Sequence, residues 1–206
     1  MRHSLTTQGY GIRLRPVTLD DAQFIVWLRN LGCVKGRVGD SATDVAGQER
    51  WLNSYFERKG DYYFIVETFH ETPLGTHAIY NLKETRAEIG RLIIRPGVKA
   101  VTTASLLIGD LFSEKMGITQ LRATCVASNY AARTLFCKCG FSQVKIEYAS
   151  RVVGGEAIDM VHFVQTADTW RHARERLIRP AQRAESAIRQ WEEVYLQSCD
   201  SQRLAT

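Results

Sequence analysis

Asn129-Tyr-Ala-Ala-Arg-Thr-Leu-Phe-Cys-Lys-Cys-Gly-Phe141 carries its own start and stop signals. The Asn129 side chain can accept a hydrogen bond from the first-turn amides that a helix leaves unpaired. Ala132, Leu135, Phe136 and Cys139 recur at helical spacing and make one apolar stripe. Gly140 closes the helix, because the left-handed residue that often ends one suits glycine. Just upstream, Leu121 to Val126 reads as a strand. Before it, Thr103 to Met116 reads as a helix with Leu106, Leu107, Leu111 and Phe112 apolar, closed by Gly117. A loop at Arg95-Pro-Gly-Val-Lys99 joins that helix to the strand-like run Ala87 to Ile94. The middle of the chain is therefore strand, loop, helix, strand, helix.

Toward the N-terminus, Gly11 to Pro16 alternates and reads as a first strand. Thr18 can cap a helix carrying Ala22, Ile25, Val26 and Leu28, with Asp20 and Asp21 at its positive end. A loop spans Leu31 to Gly39. Val45 to Lys59 reads as a second helix whose stripe is Trp51, Leu52, Tyr55 and Phe56. Tyr62 to Glu67 and Leu74 to Leu82 are strands two and three, close enough to pair as hairpins with Ala87 to Ile94. Toward the C-terminus, Phe141 to Ala149 and Val152 to Gln165 are two further strands around Gly154-Gly155. The tail predicts two helices, Asp168 to Arg179 and Ala181 to Ser198, with Pro180 opening the second. Its apolar positions Leu177, Ala181, Ala184, Ile188, Trp191 and Tyr195 form a stripe that needs a surface, either this domain or a second copy in a homodimer. The order predicts a mixed α/β domain over residues 1–166 and a helical extension over residues 167–206.

The chain has 206 residues, 45% hydrophobic and 24% charged, which excludes a disordered, collagenous or coiled-coil chain. It lacks an apolar run of ~18 residues, so no membrane span is expected. Met1 to Tyr10 lacks the apolar core of a signal peptide, and five cysteines are an odd number, so reduced thiols in a cytoplasm are expected. Cys137 and Cys139 stand one residue apart with no second Cys or His pair at zinc spacing, so no metal site is expected. The charge is 27 minus 22, or +5. From residue 167 onward seven Arg meet six acids, so the excess is spread through the first 166 residues rather than gathered in a basic arm. That speaks against nucleic acid and suits a phosphate-bearing small molecule.

The loop from Lys99 feeds a helix start, where free N–H groups and the positive helix end favour an anion. Gly97, Ala100, Thr102, Thr103, Ala104 and Ser105 are small enough for close approach, Lys99 adds charge, and Thr102 and Thr103 add hydroxyls.

As a set, the Asn129 to Phe141 stretch, Ile12-Arg-Leu-Arg-Pro16 with Thr18-Leu-Asp-Asp21 behind it, Pro73-Leu-Gly75 and Ala87-Glu-Ile-Gly90 resemble the GNAT superfamily of N-acetyltransferases, in its ribosomal-protein acetyltransferase branch. The resemblance covers residues 11 to 166. It implies a mostly antiparallel sheet splayed between the fourth and fifth predicted strands, acetyl-CoA as donor and a primary amine as acceptor. It assigns the pantetheine arm to the backbone of Leu92, Ile93 and Ile94, with Asn129 facing it. The pyrophosphate goes to Lys99, Ala100, Val101, Thr102 and Thr103, with Arg133 within reach of the phosphates. Two departures stand out. The glycines of the family's phosphate loop are Ala100 and Thr102 here. The Tyr that protonates the leaving thiolate is Phe136, which has no proton to give; Tyr130 and Cys137 are its nearest titratable neighbours in sequence.

An amine must lose a proton before it attacks a thioester, so a base is required. Glu88 is the first candidate and His77 the second, with Glu67 and Asp159 behind them. Within the superfamily, Leu28-Arg-Asn30, the aromatic helix around Trp51 and Gly154 to Asp159 resemble the nucleotide amino-sugar acetyltransferases of surface-polysaccharide pathways. Arg29, Lys35 and Arg37 would suit a diphosphate acceptor, and Trp51, Tyr55 and Phe56 either a base or a core. The alternatives are a protein N-terminal amine acceptor, an aminoglycoside or polyamine acceptor, and a catalytically inactive acetyl-CoA-binding module.

Overall fold

The computed structural model describes residues 1–34, 42–153 and 155–203. Lys35, Arg37, Gly154 and the Cys199 side chain lie outside the described residues. The elements in chain order are β1 (Thr7–Gly9), β2 (Ile12–Pro16), α1 (Ala22–Arg29), α2 (Val45–Phe56), β3 (Tyr62–Thr68), β4 (Pro73–Lys83), β5 (Arg86–Ile94), α3 (Val101–Asp110), β6 (Gln120–Val126), α4 (Tyr130–Lys138), β7 (Ser142–Val153), β8 (Glu156–Thr166) and α5 (Ala167–Arg203). One eight-stranded sheet runs β1-β2-β3-β4-β5-β6-β8-β7. Every pairing is antiparallel except β5 with β6. This is the mixed α/β, splayed-sheet architecture that the sequence predicts.

Strand alternation sorts the side chains onto two faces. Tyr63, Ile65 and Ala78 pack with Ile25, Leu52 and Tyr55 beneath α1 and α2. Phe64, Val66, Ile79, Ala87 and Ile89 pack on the other face with Leu106, Phe112, Leu177 and Ile188, beneath α3 and α5. A part-buried ion cluster ties β2 and β3 to the start of α1. Arg13 and Arg15 both hold Glu67, and Arg15 also meets Asp21 at 2.7 Å.

Three local readings are corrected. A short first strand, β1, pairs with β2 through the turn at Tyr10 and Gly11, which both have positive φ. The α3 helix begins at Val101, two residues before Thr103, and its last turn over Leu111–Lys115 widens to π geometry. The tail is one helix that passes through Pro180. Proline removes one backbone bond there. The helix continues because Trp170, Ala173 and Leu177 before it and Ala181, Ala184 and Ile188 after it are all buried along the same stripe. Each large apolar side chain so buried stabilises that register by roughly 1.5–3 kcal/mol.

Candidate active site

The sheet opens where β5 and β6 part. Their pairing covers only Arg86 to Glu88 against Gln120 to Arg122. Beyond Glu88, β5 still pairs with β4 but among the described residues has no neighbour on its other edge, while β6 follows β8. A cleft of about 830 Å³ occupies the gap. Leu92, Ile93 and Ile94 line one wall, with Cys125, Val126 and Asn129 opposite. The backbone groups of a strand without a neighbour need partners, and an extended amide-bearing chain supplies them.

Residue 91 deforms β5. Thr76 stands opposite Ile93 and Ala78 opposite Gly90, so β5 uses three steps where β4 uses two. The extra residue makes a bulge, and Arg91 has a φ of +53°. Such a conformation costs about 1 kcal/mol or more in a residue with a Cβ, so something must hold it. The Arg91 guanidinium makes a two-pronged pair with buried Asp61, at 2.7 and 3.1 Å. It also lies over three rings: Trp51 at 5.3 Å, Tyr63 at 5.2 Å and Tyr80 at 4.7 Å. The Thr76 hydroxyl donates to the Arg91 carbonyl at 2.7 Å. Gly90 is needed beside it, since a Cβ there would come within 2.8 Å of the Tyr80 hydroxyl.

The two first candidates for a base lie on opposite faces of the sheet. Glu88 stands opposite Tyr80, whose ring packs on the α1–α2 face. It is half-buried at the fork of the splay and accepts from Asn81 Nδ2 at 3.0 Å. Its charge, after burial, helps to hold the Tyr80 phenol above its ordinary range. His77 stands opposite Phe64, on the α3–α5 face. Its Nδ1 lies 3.1 Å from the Gly90 carbonyl and 3.0 Å from the Ala78 amide, which donates to it. Its Nε2 is buried and has no hydrogen-bond partner among the described residues. Burial pushes the imidazole down to about 4, so the ring is neutral. Glu67 is wholly buried and clamped by Arg13 and Arg15. The Asp159 carboxylate accepts from the Ala149 amide at 2.8 Å. Both have structural work away from the cleft, which weighs against either as a base.

The phosphate-loop residues divide. Ala100 is the residue before α3 and gives it no side-chain cap. The first helical bond runs from the Ala104 amide to the Ala100 carbonyl, so the amides of Val101, Thr102 and Thr103 precede the ladder. Thr103 is fully buried and its hydroxyl has no partner among the described residues, whereas Lys99 is exposed. Val101 and Thr102 line a second hollow of about 390 Å³ together with Tyr130, Thr134 and Lys138 of α4. This fits a coenzyme phosphate: orphan amides, small neighbours and a cation at one helix start. Asn129 caps α4, its Oδ1 accepting from the Ala132 amide at 3.1 Å, and also lines the cleft. Arg133 is engaged elsewhere, donating to the Ala127 carbonyl at 3.1 Å and lying over the Tyr130 ring.

Phe136 lines the cleft and packs on Phe141 and Phe163. Tyr130 is 71% exposed and Cys137 is exposed, so neither reaches the cleft wall beside it. Cys125 and Cys139 do line the cleft, and burial pushes both thiols up to about 11. Sequence reasoning passed over Cys125; its place in the alternation of β6 was the available signal.

The cleft lining is cationic. Arg29, Arg58, Arg91 and Arg151 line it, and among the described residues no carboxylate does. Asp61 stands behind Arg91 and within 3.9 Å of Arg58. Trp51 also lines the wall, whereas Tyr55 is buried in the core. Among the described residues no cluster of three metal-ligating side chains occurs, and no helix is long and apolar enough to cross a membrane.

Residues 12–142 match the family model described as an acetyltransferase (GNAT) domain. No curated protein sequence matches the chain. Solved structures share the fold. A GCN5-related N-acetyltransferase from Brucella melitensis superposes with a TM-score of 0.73 at 18% identity, covering 85% of each chain. Apo FdhC, a nucleotide-linked sugar GNAT, superposes with a TM-score of 0.70 at 20% identity, covering 86% of this chain and 98% of that one. Spermidine N-acetyltransferase from Vibrio cholerae, in complex with CoA and spermine, gives 0.72 at 17% identity, covering 79% and 99%.

Proposed function

Because this chain belongs to the acetyltransferase (GNAT) family, and so is an N-acetyltransferase that uses acetyl-CoA, we propose that its acceptor is the amine of an anionic small molecule, a nucleotide-linked amino sugar. The observation that carries this reading is the cleft lining, with four arginines and no carboxylate among the described residues. Arg91 is held by Asp61, so pairing with phosphate oxygens falls to the other guanidinium groups of the cleft, and their charge repels a polyamine. A nucleotide-linked sugar enzyme among the structures of like fold agrees with this reading, although spermidine enzymes share the fold as well.

Bound acetyl-CoA supplies an activated acetyl thioester. The residues of this chain do the rest. Leu92 to Ile94 and Asn129 hold the pantetheine arm, and the amides of Val101, Thr102 and Thr103, with Lys99, hold the pyrophosphate. Glu88, on the Tyr80 face of the sheet and behind the cleft lining, takes the proton of the acceptor ammonium through an intervening water. Backbone amides at the Gly90–Arg91 bulge receive the charge that develops on the carbonyl oxygen. Phe136 offers no proton, so the leaving thiolate takes one from solvent.

Thiol release measured across nucleotide-linked amino sugars, spermidine and amino-terminal peptides tests the acceptor. The expected result is turnover of the first class with a KM that rises with salt, as phosphate–arginine pairing is screened. A higher kcat/KM for spermidine or for peptides would overturn it.

A further inference from the structure

The amphipathic tail touches the loop that leads from β5 to α3. Arg95 is the first residue after β5, and Pro96, Gly97, Val98 and Lys99 connect it to the start of α3. Its backbone amide donates to the Leu74 carbonyl at 2.8 Å and its Nη1 to the Pro73 carbonyl at 3.2 Å. Its guanidinium lies over three rings from two helices: Tyr195 at 4.5 Å and Trp191 at 4.9 Å on α5, and Trp27 at 5.0 Å on α1. Trp191 and Tyr195 are themselves stacked, with centroids 5.0 Å apart and planes within 13°. The indole nitrogen of Trp191 is 4.0 Å from the place a Cβ on Gly97 would take. The next residue fixes the helix at this height. Glu192 is buried and accepts from the Thr68 hydroxyl, and it lies 3.1 Å from His70 Nδ1.

The arrangement joins both layers of the sheet at one arginine. The coenzyme loop hangs from that arginine, and α5 supplies two of the three rings that hold it. We propose that Trp191 and Tyr195 are positioning residues for acetyl-CoA: they hold Arg95, and through it residues 96–100, in the shape that presents the α3 amides to the pyrophosphate. This rests on the reading of that loop as the phosphate site. The α5 helix thereby belongs to the coenzyme site, although it lies beyond the segment matched by the family model.

Calorimetric titration of the full chain with CoA, at a temperature well below unfolding, tests the proposal. Cation–ring contacts of this kind are worth enough to weaken CoA about fivefold in Trp191→Ala and Tyr195→Ala. Trp191→Phe, which keeps an aromatic face, restores most of the affinity. Val194→Ala, which alters a side chain 62% exposed in the same turn, leaves it unchanged. In turnover, the alanine variants raise KM for acetyl-CoA by the same factor and leave kcat within about twofold, a split that general loosening would not give. Should Trp191→Ala fail to fold, Tyr195→Ala, one turn closer to the helix end, decides by itself. Wild-type affinity in the folded alanine variants, or a fall in kcat at constant KM, would overturn the proposal. A wild-type chain without affinity for CoA would overturn the loop reading itself, and this inference with it.

Discussion

At position 88, exchanging carboxylate for amide keeps the shape and a hydrogen-bonding oxygen for Asn81 and removes only the proton acceptor. Glu88→Gln is expected to lower kcat/KM about a hundredfold at neutral pH, the low end of what a positioned base contributes. The deficit narrows as pH rises, because the acceptor then arrives already deprotonated. A pH profile parallel to that of the wild type would remove Glu88 from the mechanism. His77 makes a different prediction. Its folded value of about 4 lies below the ordinary 6.5, so the unfolded chain binds a proton across that window and the native chain does not. Stability from this ring is complete above pH 6.5 and is lost as pH falls toward 4, in all about 3 kcal/mol. Urea midpoints of wild type and His77→Gln at pH 7 and pH 4.5 are expected to differ in slope, the variant lacking this loss. The sequence offers both residues as strand members, and only pairing with Tyr80 or Phe64 separates their faces.

At the scale of the element, β5 is where prediction from sequence succeeded and then stopped. Its extent, its place as the strand before the coenzyme loop and its splay from β6 are all legible in Ala87 to Ile94 and in the resemblance. The bulge at Arg91 is not, because a positive φ in an arginine follows from Asp61, Trp51, Tyr63 and Tyr80, which come from three other segments. Asp61→Asn removes the carboxylate that anchors the guanidinium. Breaking such a buried pair costs about 3 kcal/mol. The expected outcome is a fall in melting temperature together with a kcat lowered on the order of tenfold, while KM for acetyl-CoA changes little. An unchanged kcat in the folded variant would mean that the bulge holds its shape without the pair.

At the scale of the molecule, the function we propose has the two-faced sheet join two supplies: coenzyme phosphate at the α3 and α4 termini on one side, an anionic acceptor at α1 and α2 on the other, meeting in the splay. Local signals revealed the helix caps, the hairpins and the loop. They misread the tail as two helices, since Pro180 is a strong local stop signal and the shared burial of Trp170 to Ile188 is a tertiary fact. They also left the arginine wall incomplete: Arg29 was legible near the Trp51 helix, whereas Arg58, Arg91 and Arg151 converge only through folding. Hydrogen–deuterium exchange with and without CoA tests the central claim most directly. Binding in the splay predicts slowed exchange in peptides covering residues 89–94 and 101–104, with β1 to β3 unaffected. CoA binding that leaves both segments exchanging at their free rate would contradict it.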